Sequence, residues 1–234
     1  MSADGFDPAP PSAAPPELSA TADGHNEGAG TERLLALSDG VVAIALTLLI
    51  LGIQVPAAAG LRNPDSMSEL AAALVSTIDG WISYVISFVV IAQFWLTHRQ
   101  LFREMDAAGD GLANWNFLFL FTITVMPFTS DLIGKYPENP LAVIIFSANL
   151  ILATLARFGM LRYRARHRPP AGPGRPAVAG YKPLQGIINL CFYALAIPVA
   201  LVSPDLAKFC WLGLILSPRI AALIARRSGA RAAG

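Results

Sequence analysis

Charge is scarce in this chain. Asp, Glu, Lys and Arg make up 14% of its 234 residues and hydrophobic residues 54%, whereas a soluble domain carries about a quarter charged residues. Cysteine is scarcer still. Cys191 and Cys210 are the only two, and both fall in apolar stretches. They support neither a disulfide framework nor a metal-ligand spacing, and read as small hydrophobes of a helical core. The chain holds no HExxH, no GxSxG and no Gly-rich phosphate loop, so the common hydrolase and nucleotide-binding signatures are missing. No second acid pairs with the one intramembrane carboxylate at Asp39, which leaves general acid–base chemistry without support. The chain is therefore expected to be no enzyme, to need no cofactor or metal, and to bind no nucleic acid.

What is abundant is long apolar runs. A bilayer core takes roughly 20 apolar residues per helix. Six runs qualify, at about 34–55, 77–97, 112–133, 139–161, 184–202 and 206–225. None shows the ten-residue alternation of a membrane β-barrel. The expected fold is all-α and integral to the membrane, with six transmembrane helices in a domain spanning 31–227. Residues 1–30, rich in Pro, Ala, Gly and acid, are expected to form a disordered tail without signal-peptide character. Residues 167–182 read as a Pro/Gly/basic cytoplasmic linker, and 228–234 as a C-terminal tail.

Basic residues set the orientation. Arg33, Arg99, Arg103, Arg162, Arg164, Arg166, Arg168, Arg175, Lys182, Arg226, Arg227 and Arg231 gather on one side, against Arg62, Lys135 and Lys208 on the other. Both termini are expected in the cytoplasm. The stretch DSMSELAAALVSTIDG before the second span suggests an interfacial helix. YPENP, Tyr136 to Pro140, suggests a tight outer turn, and Pro127 lies near the outer end of the third span.

An ionisable residue inside a span costs ~3 kcal/mol on insertion scales and marks a candidate functional site. Asp39 lies about 9 Å into the first helix at 1.5 Å per residue. Ser38, Asp39, His98, Asn114 and Asn116 come to similar depth on three spans. They read either as polar glue between helices or as a proton-relay or ion site. On the same first helix Ile44, Thr47, Leu48 and Leu51 form an i, i+3, i+4, i+7 stripe, roughly 140° round from Asp39. That stripe suits ordinary packing or a pore wall. Arg33 lies about 240° round from Asp39, so a direct pair within one helix is excluded.

The spacing R-x-x-x-L-S-D-x-x-x-A-I-x-x-T-L-L-x-L, read at Arg33, Leu37, Ser38, Asp39, Ala43, Ile44, Thr47, Leu48, Leu49 and Leu51, resembles the first helix of the transmembrane-protein-175 potassium channels. YVISFVVIAQFWLTHRQLF, with Trp95 and His98, is similar to the family's second helix. NWNFLFLFTITVMPF and NPLAVIIFSANLI are similar to its third and fourth, so the resemblance covers about residues 31–225. It implies a six-helix repeat and a potassium-permeable pore without a P-loop filter, in keeping with the lack of a TVGYG segment. One repeat implies a homotetramer around a pore lined by the first helix. Ile44 would form the hydrophobic constriction, with Thr47, Leu48 and Leu51 as further pore layers. Arg33, Ser38, Asp39, Trp95, His98, Asn114 and Asn116 would make the supporting polar network. Leu37 replaces the family's aromatic residue before Ser-Asp, and Thr97 the first residue of its His-His pair.

The implied partners are potassium ions, the lipid bilayer and further copies of the chain; the implied location is the cell membrane. Arg162, Arg164, Arg166 and Arg168 alternate unlike a voltage sensor and read as a solvated anchor. A secondary transporter or a proton-permeable leak pathway is the alternative. A transporter, however, would show broken helices and repeated halves around a midplane site.

Overall fold

The computed structural model describes residues 16–63, 65–103, 110–167, 183–211 and 217, with side chains from Gly30 onward apart from those of Ala59, Asp110 and Pro183. Among the described residues the helices α1 Pro16–Leu48, α2 Met67–Val75, α3 Ile78–Arg103, α4 Asp110–Lys135, α5 Pro140–His167 and α6 Pro183–Val202 follow in order. Residues 204–211 are helical again. Five segments among the described residues are long and apolar enough to cross a membrane: Gly30–Gly52, Ile78–Arg103, Gly111–Lys135, Pro140–His167 and Leu184–Val202. They coincide with the first five expected spans. Most of the sixth, like the linker beyond His167 and the C-terminal tail, lies outside the described residues.

One expectation is corrected. Helix α1 begins at Pro16, so the second half of the segment 1–30 is helical, while 1–15 lie outside the described residues. Proline at the first helical position and Glu17 in the first turn are the local signals for this start. Low hydrophobicity argues against a packed core there, but not against a helix continuous with a membrane span.

The other boundaries follow from local chemistry. Ser66 caps α2, its Oγ accepting from the Glu69 N–H at 3.5 Å, and the Glu69 carboxylate accepts from the Asn63 N–H at 3.0 Å. At the tight turn 136–139, Asn139 Oδ1 accepts from the Leu141 N–H at 2.9 Å, and Pro140 opens α5. Arg164, Arg166 and His167 fill the last turn of α5, where cations complement the helix dipole. Ser203 Oγ accepts from the Leu206 N–H at 3.4 Å as the helix at 204–211 starts. Cys191 is exposed and Cys210 half-buried, both free, so Cys191 departs from its expected core placement.

Helix α4 is the hub, packing on α1, α3 and α5, and α6 packs on α5. Phe94, Phe119, Ile123, Phe146 and Leu150 are fully or nearly fully buried between them. Small residues bring α3 and α4 together at the end away from the arginines. A Cβ on Gly134 would lie 3.1 Å from the Gly80 Cα. Beside it Ser83 Oγ donates to the Ser130 carbonyl at 3.0 Å and Ser130 Oγ to the Ser83 carbonyl at 3.3 Å. Close backbone approach with hydroxyls spanning the joint is how membrane helices associate where apolar burial drives little.

Candidate pore helix and its polar anchor

The two faces of α1 differ sharply. Val42, Ala45 and Leu49 are 2%, 2% and 3% exposed, and Ser38 on the same face is fully buried. Ile44, Leu48 and Leu51 are 60%, 44% and 71% exposed, and Thr47 is exposed with them. Val42 and Ile44 point about 200° apart at 100° per residue, so one helix presents a packed face and an uncovered apolar face. Packing among the described residues therefore does not account for the Ile44 stripe. The Thr47 hydroxyl donates to the Ile44 carbonyl at 2.8 Å, which turns its oxygen lone pairs outward. Beyond Leu48 the helix tightens into a 3-10 turn, Leu49–Gly52.

The packed face is anchored by a directional hydrogen-bond chain. Ser38 Oγ donates to its own helix at the Leu34 carbonyl, 2.8 Å. Its lone pairs accept from Asn116 Nδ2 at 3.0 Å, so Asn116 Oδ1 is left facing His98 Nε2 at 2.7 Å. Each bond fixes the next, and the ring nitrogen at Nε2 must carry the proton. Ser38, His98 and Asn116 are all fully buried. The imidazole is held flat between Phe102 and Phe119, with centroids at 4.5 and 4.9 Å. Its Nδ1 is buried without a hydrogen-bond partner. One backbone carbonyl on α1 thus sets the polarity of a chain running through α4 to α3.

A second tie lies beside it. Trp95 Nε1 donates to Asp39 Oδ1 at 2.7 Å, and the Arg99 guanidinium sits 5.0 Å from the centroid of the same indole. Carboxylate, indole N–H, π-face and cation follow one another, which offsets the charge of Asp39 without a direct ion pair. Of the expected network, Ser38, Asp39, Trp95, His98 and Asn116 come together. Asn114 and Arg33 do not: both are exposed. Asn114 lies two residues, or about 200°, from Asn116 and cannot share its direction. Leu37 is exposed, and the Thr97 hydroxyl turns back to the Gln93 and Phe94 carbonyls at 2.8 and 3.0 Å.

Three interior polar residues were missed from the sequence. Asn149 Nδ2 donates to the Thr122 carbonyl at 3.0 Å, joining α5 to α4. Arg157 is buried on α5, its guanidinium 5.7 Å from the Phe94 ring centroid. Asp131 pairs with Lys135 at 2.8 Å, and a Cβ on Gly52 would meet its Oδ1 at 3.3 Å. Arg157 and Asp131 lie inside the apolar runs, so the rule that singles out Asp39 applies to them equally. Among the described residues no group of His, Cys, Asp and Glu is arranged to hold a metal ion.

Comparison with known proteins meets the geometry at this point. The family model described as endosomal/lysosomal potassium channel TMEM175 matches residues 33–127, from Arg33 on α1 to Pro127 on α4. A potassium channel of Chamaesiphon minutus is 32% identical over 137 residues, 58% of this chain and 66% of the relative. The endosomal/lysosomal proton channel TMEM175 of Danio rerio is 27% identical over 149 residues, 64% of this chain and 28% of the relative. The chain thus spans under a third of that animal relative and about two thirds of the bacterial one. The crystal structure of a lysosomal potassium-selective channel TMEM175 homolog from Chamaesiphon minutus shares the fold at a TM-score of 0.68 and 24% identity, covering 82% of this chain and 98% of that one. From the matched signature helices and the shared fold, this multi-pass membrane chain belongs to the TMEM175 family of channels.

Proposed function

We propose that the chain is a potassium-permeable cation channel, conducting passively as a homotetramer through a pore lined by α1. The observation that carries this reading is the uncovered stripe of Ile44, Thr47, Leu48 and Leu51 opposite a face anchored on α3 and α4. Four copies of such a helix around an axis place a ring of isoleucines at the narrowest level. An apolar ring of that kind closes by dewetting. The outward lone pairs of Thr47 offer oxygen ligands one turn away. Ser38, Asp39, Trp95, His98 and Asn116 hold the pore helix in register. The basic ends of α3 and α5 support an orientation with both termini in the cytoplasm of a cell-membrane protein.

The test is the reversal potential of the purified protein in planar bilayers under opposed K⁺ and Na⁺ gradients. A reversal near the K⁺ equilibrium potential, with unitary steps, is expected; coupled, saturable flux without unitary steps would point to a transporter. The animal relatives named proton channels favour a second reading, a proton-permeable pathway. An imposed pH gradient in the same bilayers shifts the reversal potential if protons pass and leaves it unmoved if they do not.

Asp39→Ala separates anchoring from selectivity. It removes the acceptor of the Trp95 bond, and a hydrogen bond between membrane helices contributes about 0.6 to 1.7 kcal/mol. The tetramer fraction on size exclusion is expected to fall, while the surviving tetramers keep the wild-type reversal potential. Intact tetramers with an altered reversal potential would move Asp39 from the anchor to the ion path.

A further inference from the structure

The segment before the second span forms the nine-residue helix α2, and none of its residues is buried. A helix that short is marginal in water, since isolated helices need about 12 to 15 residues. It therefore calls for a surface that the described residues do not supply. Its apolar side chains share one side. At 100° per residue Met67, Leu70 and Leu74 fall within about 60° of one another, and Glu69 points about 100° to 160° away from them. Val75 extends the same side, and all four apolar residues are exposed. The polar groups are spent locally. The Glu69 carboxylate accepts from the Asn63 N–H at 3.0 Å, and the Ser66 and Ser68 hydroxyls share a bond of 3.0 Å. Ser76 Oγ donates to the Ala73 carbonyl at 2.7 Å and Thr77 Oγ1 to the Leu74 carbonyl at 2.8 Å.

We propose that α2 docks on the bilayer itself, with Met67, Leu70, Leu74 and Val75 inserted among lipids at the headgroup–acyl boundary and no requirement for anionic headgroups. The tether fixes the neighbourhood. Ile78 opens the span Ile78–Arg103, and the three-residue step from Val75 reaches at most about 10 Å. The headgroup zone is itself roughly 6 Å deep on each side of the hydrocarbon, so the last turn of α2 stays at the membrane surface. Trp81 in the first turn of α3 and Tyr136 in the turn before α5 are both exposed. They lie at the end of the bundle where Gly80 meets Gly134, and such aromatics mark the headgroup level. Exposed Ile78, Ile82 and Val85 carry apolar surface from the end of α2 into the span. Lipid suits this face better than a second copy does, because the hydroxyls and the carboxylate of α2 are already bonded nearby and leave little directional capacity for a protein partner. The charge class follows from Glu69, the only ionisable residue of α2. With no Lys or Arg, docking draws on apolar burial and not on attraction to anionic lipid. No residue of α1 takes part, so the inference needs the membrane placement but not the pore assignment.

The test uses the full chain in nanodiscs of phosphatidylcholine, with and without phosphatidylglycerol. Hydrogen exchange over 67–75 is expected to be slow in both discs. It should quicken at least about tenfold when Leu70→Glu and Leu74→Glu are combined, while the spans stay protected. Spin labels at Leu74→Cys and at Ala72→Cys, each with Cys191→Ala and Cys210→Ala, read what covers the two sides. The label at 74 is expected to meet dissolved oxygen more than a water-soluble nickel chelate, and the label at 72 the reverse. A label at 74 screened from both, with spin–spin broadening between copies, would assign the face to a second copy and overturn the proposal. Equal nickel access at 74 and 72 would overturn it too, as would protection that appears only with phosphatidylglycerol. Fast exchange over 67–75 in the wild type would do the same, and that measurement needs no cysteine replacement.

Discussion

Ile44→Asn is expected to raise the cation current about tenfold or more, the factor that ~1.4 kcal/mol off a barrier gives. Ile44 is the most exposed large side chain at mid-helix on the uncovered face of α1, at 60%. Its side chain is apolar and lies outside the buried core, so its replacement costs the chain little stability. A ring of amides in place of sec-butyl groups lets water and a partly hydrated ion remain at the level where an apolar ring would expel them. The measurement is macroscopic and unitary current in bilayers at matched protein load, with the tetramer fraction determined in parallel. A larger current through a less selective pore fits a gate that also filters. Unchanged current in properly assembled protein would remove Ile44 from the conduction path and with it the assignment of the stripe.

Asn116→Leu is expected to be the most destabilising single change in the anchor. Asn116 both donates to Ser38 and accepts from His98, and all three are fully buried. Ser38 keeps its bond to the Leu34 carbonyl. His98 is stranded between two phenyl rings, and a buried polar group left unsatisfied costs roughly 1 to 3 kcal/mol. With the two bonds themselves, the loss is on the order of 3 kcal/mol. Thermal unfolding in detergent measures it as a lower midpoint and reduced yield. The diagnostic comparison is the double variant Asn116→Leu with His98→Leu. Replacing both partners by apolar groups removes the stranded imidazole and should recover a large part of the loss. If the double variant is less stable than Asn116→Leu alone, the histidine has another role in the fold.

The span pattern was legible because it is written in composition: each of five apolar runs became a helix, and their ends carry Pro, Asn, Ser or basic residues where capping requires them. The two faces of α1 were legible as a 3.6-residue period. The pairing of polar residues was less so. Equal depth suggested Asn114 and Asn116 together, but depth ignores azimuth, and only Asn116 turns inward. The Trp95–Arg99 half of the Asp39 tie needed the turn of α3 that places the two side chains one above the other. Arg157 went unread, although it lies well inside the run 139–161 and the cost of an ionisable residue in a span applies to it. The helical start at Pro16 shows the converse, that low hydrophobicity reports on packing and not on backbone conformation.

The joints of the bundle are not equally stiff. Helices α3 and α4 are bolted at both ends, by the Gly80–Gly134 contact with its crossed serine bonds at one and by His98–Asn116 at the other. A beam fixed at two points cannot rock against its neighbour. Helix α1 is joined to that beam by the side-chain bonds of Ser38 and Asp39; farther along it rests on van der Waals contact through Val42, Ala45 and Leu49. Directional bonds thus hold its basic end, while the stretch that carries Ile44, Leu48 and Leu51 is seated by packing alone, closing at Gly52 against Asp131.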